Sequence, residues 1–225
     1  MLSLKQGLSL NTTKQAIWLP SDEALLSAWY RKGTGITESS GSVSEWADQS
    51  GNSNDMEQPN SAEEPTIANG IITFDGSDNL QMQSGAIAFV GDYTIAAKIK
   101  PTGTVNHYVV IGSNTIAGYF VKLFDDDTLY ITRAGASKGL SLGGGRKFTD
   151  GGYFVLTRDA SNYTLYWNGV QEDQVTALSG LTVFDTIGGR YVDSQDYVGD
   201  VTEVQMYAST SAALTANINT RLSTL

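Results

Sequence analysis

Between Tyr93 and Lys100 the residues Tyr93, Ile95, Ala97 and Ile99 alternate with Thr94, Lys98 and Lys100. A period of two is that of a strand with one face in a core and the other toward water. Upstream, Ile71-Ile72-Thr73-Phe74 runs into Asp75-Gly76-Ser77-Asp78. Glycine takes positive φ freely and aspartate bonds its own backbone, so this stretch reads as a strand ending in a turn.

The signal recurs along the chain. Residues 108–112 read as a buried strand, and residues 118–124 and 129–133 flank Asp125-Asp126-Asp127-Thr128 as a hairpin. Residues 153–158 and 163–167 are joined by Asp159-Ala160-Ser161-Asn162, and Asn168-Gly169 predicts a type I′ turn into Val170. Residues 197–207 form the last strand. Short strands at this spacing, with 24 glycines to turn them, predict an all-β antiparallel sandwich or jelly roll. Ser211 caps a closing helix on which Leu214, Ile218 and Leu222 make an apolar stripe. A second short helix is expected over residues 21–30, where Ser21 precedes Asp22 and Glu23. Residues 33–65 read as a long polar surface loop holding one short strand at 43–46.

Residues 1–20 stand apart as an extended arm, in which Leu2, Leu4, Leu8 and Leu10 alternate with polar residues and Ile17-Trp18-Leu19-Pro20 closes the segment. The arm is either a first strand on the domain's own sheet or a segment that docks on another subunit. In the second case Leu2, Leu4, Leu8, Leu10, Ile17 and Trp18 are its contact residues. Residues 21–225 form a single jelly-roll domain.

Composition removes several function classes. Without cysteine there is no disulfide framework, thiolate metal site or thiol nucleophile. A net charge of −10 repels phosphate backbones and anionic headgroups, which argues against nucleic acid and membranes as partners. The N-terminus is too interrupted by polar residues for a signal peptide, and no apolar run is long enough to span a bilayer, so a soluble protein made in the cytoplasm is expected.

Phe74-Asp75-Gly76 opening a strand, Tyr93-Thr94-Ile95 beginning the next, Leu165-Tyr166-Trp167-Asn168-Gly169, and Gly199-Asp200 with Glu203 and Tyr207 before a terminal helix form a familiar series. Over residues 20–222 the pattern resembles the laminin-G-like, concanavalin A-like lectin/glucanase domains. Trp46-Ala47-Asp48-Gln49-Ser50-Gly51-Asn52 is similar to a segment upstream of the Phe-Asp-Gly strand in bacterial and phage members. The size and the Leu/Ser-rich arm resemble a tailed-phage virion protein.

Glucanases of this fold carry a strand with carboxylates at alternate positions, where they serve as nucleophile and acid. That pattern is not found: Glu172 and Asp173 are adjacent and should face opposite ways, Glu203 stands alone, and Asp125-Asp126-Asp127 lies in a turn. The single histidine, His107, reads as a strand-end residue with no Gly-x-Ser-x-Gly elbow to serve. The resemblance implies a calcium site, for which Asp48, Asn52 and Asp55 or Asp75 and Asp78 offer oxygens, although Asx turns account for both groups. Trp29, Trp46, Trp167, Tyr191 and Tyr197 are candidate sugar-stacking aromatics; Trp46 is the best exposed, whereas Trp167 alternates in phase with Tyr163 and Leu165 and is expected to be buried.

The resemblance therefore implies a structural or interaction protein of a virus particle, a capsid decoration or tail-associated protein, made in the host cytoplasm and contacting other virion proteins or itself. No enzyme activity, catalytic residue, metal or cofactor is expected. The alternative is a carbohydrate-binding module for host surface glycans, and an endo-acting glycan hydrolase would need carboxylates assembled from different strands.

Overall fold

The computed structural model describes residues 17–83, 85–103, 107–190 and 196–225. Its strands are β1 (Leu26–Tyr30), β2 (Ile36–Ser39), β3 (Ser42–Trp46), β4 (Met56–Glu57), β5 (Thr66–Ala68), β6 (Ile71–Asp75), β7 (Leu80–Gln81), β8 (Ile87–Phe89) and β9 (Tyr93–Pro101). They continue with β10 (Tyr108–Gly112), β11 (Phe120–Leu123), β12 (Thr128–Arg133), β13 (Ala136–Ser141), β14 (Gly152–Arg158), β15 (Asn162–Trp167), β16 (Val170–Thr176), β17 (Thr182–Phe184), β18 (Thr186–Ile187) and β19 (Val198–Tyr207). Among the described residues there is one α-helix, α1 (Ala212–Ser223).

All ladders between these strands are antiparallel; β8 and β17 pair with each other as a separate small sheet, and the other strands form two layers. The first runs β16-β15-β14-β9-β19, with β1 and β6 both on the far edge of β19. The second runs β13-β12-β11-β10-β18-β7-β4-β3-β2. β5 pairs with both β3 and β6 and joins the layers along one side. The architecture is the expected β-sandwich, and its core holds Phe74, Ile95, Val121, Leu129, Phe154, Leu165 and Val204 between the layers.

A second apolar cluster lies outside the first layer. Trp29, Ala96, Val155 and Tyr207 project from it and are covered by Leu214, Ile218 and Leu222, the stripe expected on the terminal helix. The Ser211 hydroxyl accepts from the Leu214 amide, as its capping role requires. α1 covers part of the outer face of this layer, and no described helix lies over the outer side of β10–β13.

Two local expectations change, and one further strand, β13, was not expected. Residues 21–30 are not a helix: a 3-10 turn at Pro20–Asp22 leads directly into β1, because Leu26, Ala28 and Tyr30 pack as strand residues that pair with β19. The polar stretch 33–65 holds β2 and β4 besides the expected β3, with surface loops between them. β13 follows an Ala134-Gly135 turn with φ of 48° and 82°, left-handed values at both positions as in a type I′ hairpin. In the arm, Leu2, Leu4, Leu8 and Leu10 lie outside the described residues. Ile17 is 85% exposed, while Trp18 packs beside the α1 cluster and donates its indole N–H to Glu23.

Candidate functional site

β11 and β12 alternate cleanly. Val121, Leu123, Leu129 and Ile131 enter the core, which leaves Phe120, Lys122, Tyr130, Thr128 and Thr132 on the outer face. The register places Lys122 opposite Tyr130 and Phe120 opposite Thr132, then Tyr130 opposite Gly139 on β13. Phe124, just past β11, completes the row. Its ring centroid is 4.5 Å from that of Tyr130 and 4.0 Å from that of His107. Lys122 Nζ lies 4.5 Å from the Phe124 centroid and 5.1 Å from that of Phe120, and the Arg190 guanidinium lies 4.1 Å from Phe120. Phe120 and Lys122 are nearly buried, whereas His107, Phe124 and Tyr130 are half-buried and reach solvent.

Gly139 shapes this surface. A Cβ there would come within 3.0 Å of the Tyr130 ring, so the missing side chain lets the ring extend across the neighbouring strand. Hydroxyls flank the rings: Thr128 and Ser141 are 3.0 Å apart, and Thr132 and Ser137 2.7 Å apart. Thr128 and Thr132 are nearly buried, so the capacity left for a ligand rests with the exposed Ser141 and Ser137 hydroxyls, each with one donor and two acceptor sites. β10–β13 also carry Lys122, Arg133 and Lys138 with no Asp or Glu, in a chain of net charge −10. Aromatic faces next to hydroxyls suit the apolar faces and polar rim of a sugar ring.

The aromatic residues singled out by sequence lie elsewhere. Trp29, Trp46, Trp167 and Tyr197 are buried at 4%, 0%, 1% and 0% exposure, and Tyr191 lies outside the described residues. Trp46 is a core residue and not an exposed one: its ring meets Tyr30 at 5.7 Å and its indole N–H donates to the Arg31 carbonyl. Tyr130 and Phe124 were legible only as hairpin residues. The missing signal was phase, since Tyr130 alternates with Leu129 and Ile131 and must face away from them.

The carboxylates have structural partners. Asp48 accepts from the backbone N–H groups of Trp29, Ser50 and Asn54 and from the Ser50 hydroxyl, and Asp55 accepts from the Asp48 amide. The Asn52 amide donates to the carbonyl of Leu26. Asp75 accepts from the amide and hydroxyl of Ser77, which hold its carboxyl below the usual range, and Asp78 accepts from the Asp75 amide. These oxygens face N–H and O–H donors, the reverse of a cation's demand. Among the described residues no three His, Cys, Asp or Glu side chains gather as a metal cluster. A bulge in β16 opposite Leu165 and Tyr166 breaks the expected alternation, so Glu172 and Asp173 both reach one segment, at the amides of Gly143 and Ser141. Asp126 accepts from the Thr128 amide within the turn, Asp127 accepts from the distant Phe148 amide, and Glu203 pairs with Arg221. One pair does come from different strands: Glu45 on β3 stands opposite Glu57 on β4, in an open cleft of about 380 Å³ lined also by Ser44, Gln58 and Pro59.

A family model described as the concanavalin A-like lectin/glucanases superfamily, Laminin_G_3, matches residues 74–217. No curated protein sequence matches the chain. Among solved structures, Domain 4 of AbnA, a GH43 extracellular arabinanase from Geobacillus stearothermophilus in complex with arabinotriose, is similar with a TM-score of 0.63 at 14% identity, over 89% of this chain and 99% of that one. The binding domain of Paraclostridial Mosquitocidal Protein 1 has a TM-score of 0.59 at 13% identity, over 92% of this chain and 53% of that one. Trypanosoma rangeli sialidase has a TM-score of 0.60 at 15% identity, over 90% of this chain and 33% of that one. At such identities the likeness is one of fold.

These structures also correct the expectation that the chain is not an enzyme. It rested on the absence of alternating carboxylates on one strand. The same fold recurs within glycosidase chains, an arabinanase and a sialidase, as well as in a toxin's binding domain, so that absence does not separate enzyme from binder.

Proposed function

Because the chain belongs to the concanavalin A-like lectin/glucanase superfamily, we propose that it binds carbohydrate, holding an oligosaccharide across the outer face of β11–β13. The observation that carries this reading is the contiguous ring surface of His107, Phe124 and Tyr130, half-open to solvent and edged by the Thr128–Ser141 and Thr132–Ser137 hydroxyl pairs. One similar domain is solved with a bound arabinotriose, which supports the ligand class. Tyr130 and Phe124 stack on sugar rings, and the hydroxyls orient them. A glycan array followed by calorimetry on the best ligand tests this. Phe124→Ala and Tyr130→Ala should each weaken binding about tenfold, in line with aromatic contacts worth about 1 kcal/mol or more. Unchanged affinity in both variants, or no binding to any glycan by the folded protein, would remove the assignment.

A second reading concerns where the domain works. We propose that it is a component of a virus particle fixed to neighbouring virion proteins by residues 1–20. Ile17, an apolar side chain 85% exposed next to the docked Trp18, supports this because its own domain leaves it uncovered. Co-sedimentation with particles lacking the protein, with and without residues 1–20, is the check. Arm-dependent binding supports the reading, and failure of both forms to bind removes it.

A further inference from the structure

At the end of the first layer, Arg158 on β14 lies in register between Tyr93 on β9 and Tyr163 on β15, so the three side chains share the inner face. Arg158 is only 6% exposed, and Tyr93, Tyr163 and Thr182 are fully buried beside it. A guanidinium removed from water this far normally has a carboxylate partner. This one has none among the described residues: Nη1 donates to the Gly91 carbonyl and Nη2 to the Leu178 carbonyl at 3.2 Å. The neighbouring Asp159 is committed to the amides of Ser161 and Asn162.

Four donors remain. Arg158 Nε and the hydroxyls of Tyr93, Tyr163 and Thr182 are all buried without a hydrogen-bond partner. They lie close together: the two tyrosine rings approach to 6.4 Å, the guanidinium carbon is 5.8 Å from the Tyr93 centroid, and the Tyr93 hydroxyl feels both the Thr182 and Tyr163 hydroxyls. Burial pushes the Tyr93 hydroxyl far above its usual range, so it stays protonated and supplies no counter-charge. An isolated orphan donor can be an accident of packing. Each hydroxyl could also accept from a neighbour, but none supplies a negative charge, and four such groups around a buried cation with no carboxylate have the composition of an anion site.

We infer that Arg158, Tyr93, Tyr163 and Thr182 form a buried binding site for a small monovalent anion of the halide class. The anion would neutralise Arg158 and accept from the hydroxyls. It would also tie the 91 and 178 loops to the sheet end, because the same guanidinium holds both carbonyls. Nothing in this inference depends on the carbohydrate reading, since the site is interior and on the other layer.

The test is thermal unfolding at constant ionic strength in sodium gluconate, chloride or bromide, paired with crystals grown in bromide. Gluconate is too large to enter. Replacing it with saturating halide should raise Tm by about 5 °C, the size expected when a ligand at about 100 times its Kd binds only the folded state of a domain this large. An anomalous bromide peak should lie among the four side chains. Tyr163→Phe and Thr182→Val each remove one donor at nearly constant volume, and each should lower the halide response by at least half. Equal Tm in all three salts, or a water with no anomalous signal at that position, overturns the site. So does a Tyr163→Phe protein stabilised equally in every salt, which would mark the hydroxyl as a dry orphan.

Discussion

Arg221 on α1 grips Glu203 on β19 with two parallel bonds, Nε to Oε1 at 2.5 Å and Nη2 to Oε2 at 2.8 Å, and Glu203 has no exposed surface. The Gln205 amide donates to Glu203 Oε1, and the Tyr207 hydroxyl donates to Gln205 Oε1, so alternate residues of the strand form one polar ladder beneath the helix. The Arg221 guanidinium also stands 4.9 Å over the Trp29 ring. The ladder fixes how the helix sits on the sheet, while apolar burial of Leu214, Ile218 and Leu222 supplies adhesion.

Removing one partner should therefore cost far more than removing both. Arg221→Met leaves an uncompensated buried carboxylate, and a loss of about 3–5 kcal/mol is expected. For a domain of this length that is a fall in Tm of roughly 10 °C. Adding Glu203→Gln to that variant should restore at least half of the loss. Chemical denaturation of the two single variants and the pair measures the coupling, and additive losses would mean the ladder is not a unit.

Gly139 offers a way to disturb the proposed carbohydrate surface without touching a ring. In Gly139→Val the branched side chain would occupy the space over which Tyr130 extends, forcing the ring off the strand. Tyr130 is only half-buried, so the fold has room to absorb the movement. Glycan affinity should fall at least tenfold while Tm changes by less than about 3 °C. Affinity retained in the folded variant would show that the ring's placement is not what the ligand reads.

A glycine in the core behaves differently. Gly188 has φ of 87°, and a Cβ there would lie 2.3 Å from Phe74 Cδ1, with the ring fixed between the layers. Its carbonyl also accepts from the Tyr197 amide at 2.7 Å. Gly188→Ala must strain the backbone and push Phe74 together, so a loss of about 3 kcal/mol or more is expected, beyond the ordinary cost of a surface change. Equilibrium unfolding decides it, with Gly41→Ala as the control. Gly41 also has positive φ, but a Cβ there would meet nothing.

Phe74 and Gly188 also show what was legible in the sequence. Phe74 stood out because Ile72 and Phe74 alternate before a turn, and the strand and its inward face followed from local period alone. That Gly188, more than a hundred residues away, makes room for its ring depends on sheet order, which no local pattern encodes. The same division holds at the candidate surface. Leu129 and Ile131 were readable as strand residues, but the value of Tyr130 arises from Gly139 across one ladder and from Phe124 just past the end of β11. Trp46 misled for the same reason. Its flanks are polar, yet β4 pairs beside it and Tyr30 covers its ring, so tertiary packing decided an exposure that composition could not.

Asp78 should give the fold a pH dependence opposite in sign to that of most carboxylates. Burial pushes its carboxyl up to about 6, and the nearby charges of Asp75 and Glu63 act in the same direction against the bond from the Asp75 amide. In the unfolded chain the group titrates near about 4. Between these values the folded protein holds the proton and the unfolded chain does not, so the stability tied to this group falls as pH rises from about 4 to about 6 and is constant above. Asp78→Asn keeps an oxygen for the Asp75 amide and carries no charge. The variant should exceed the wild type in Tm at pH 7 by about 3–6 °C, corresponding to roughly 1–2 kcal/mol once solvent screening is allowed for, and the advantage should vanish near pH 4. Asp75 does not confuse the comparison, because its carboxyl is held low and its contribution is lost only at more acidic pH. Thermal melts of both proteins from pH 4 to 7 settle the point: a deficit in the variant that stays the same across the range would mean that the Asp75 bond, and not the buried charge, governs this turn.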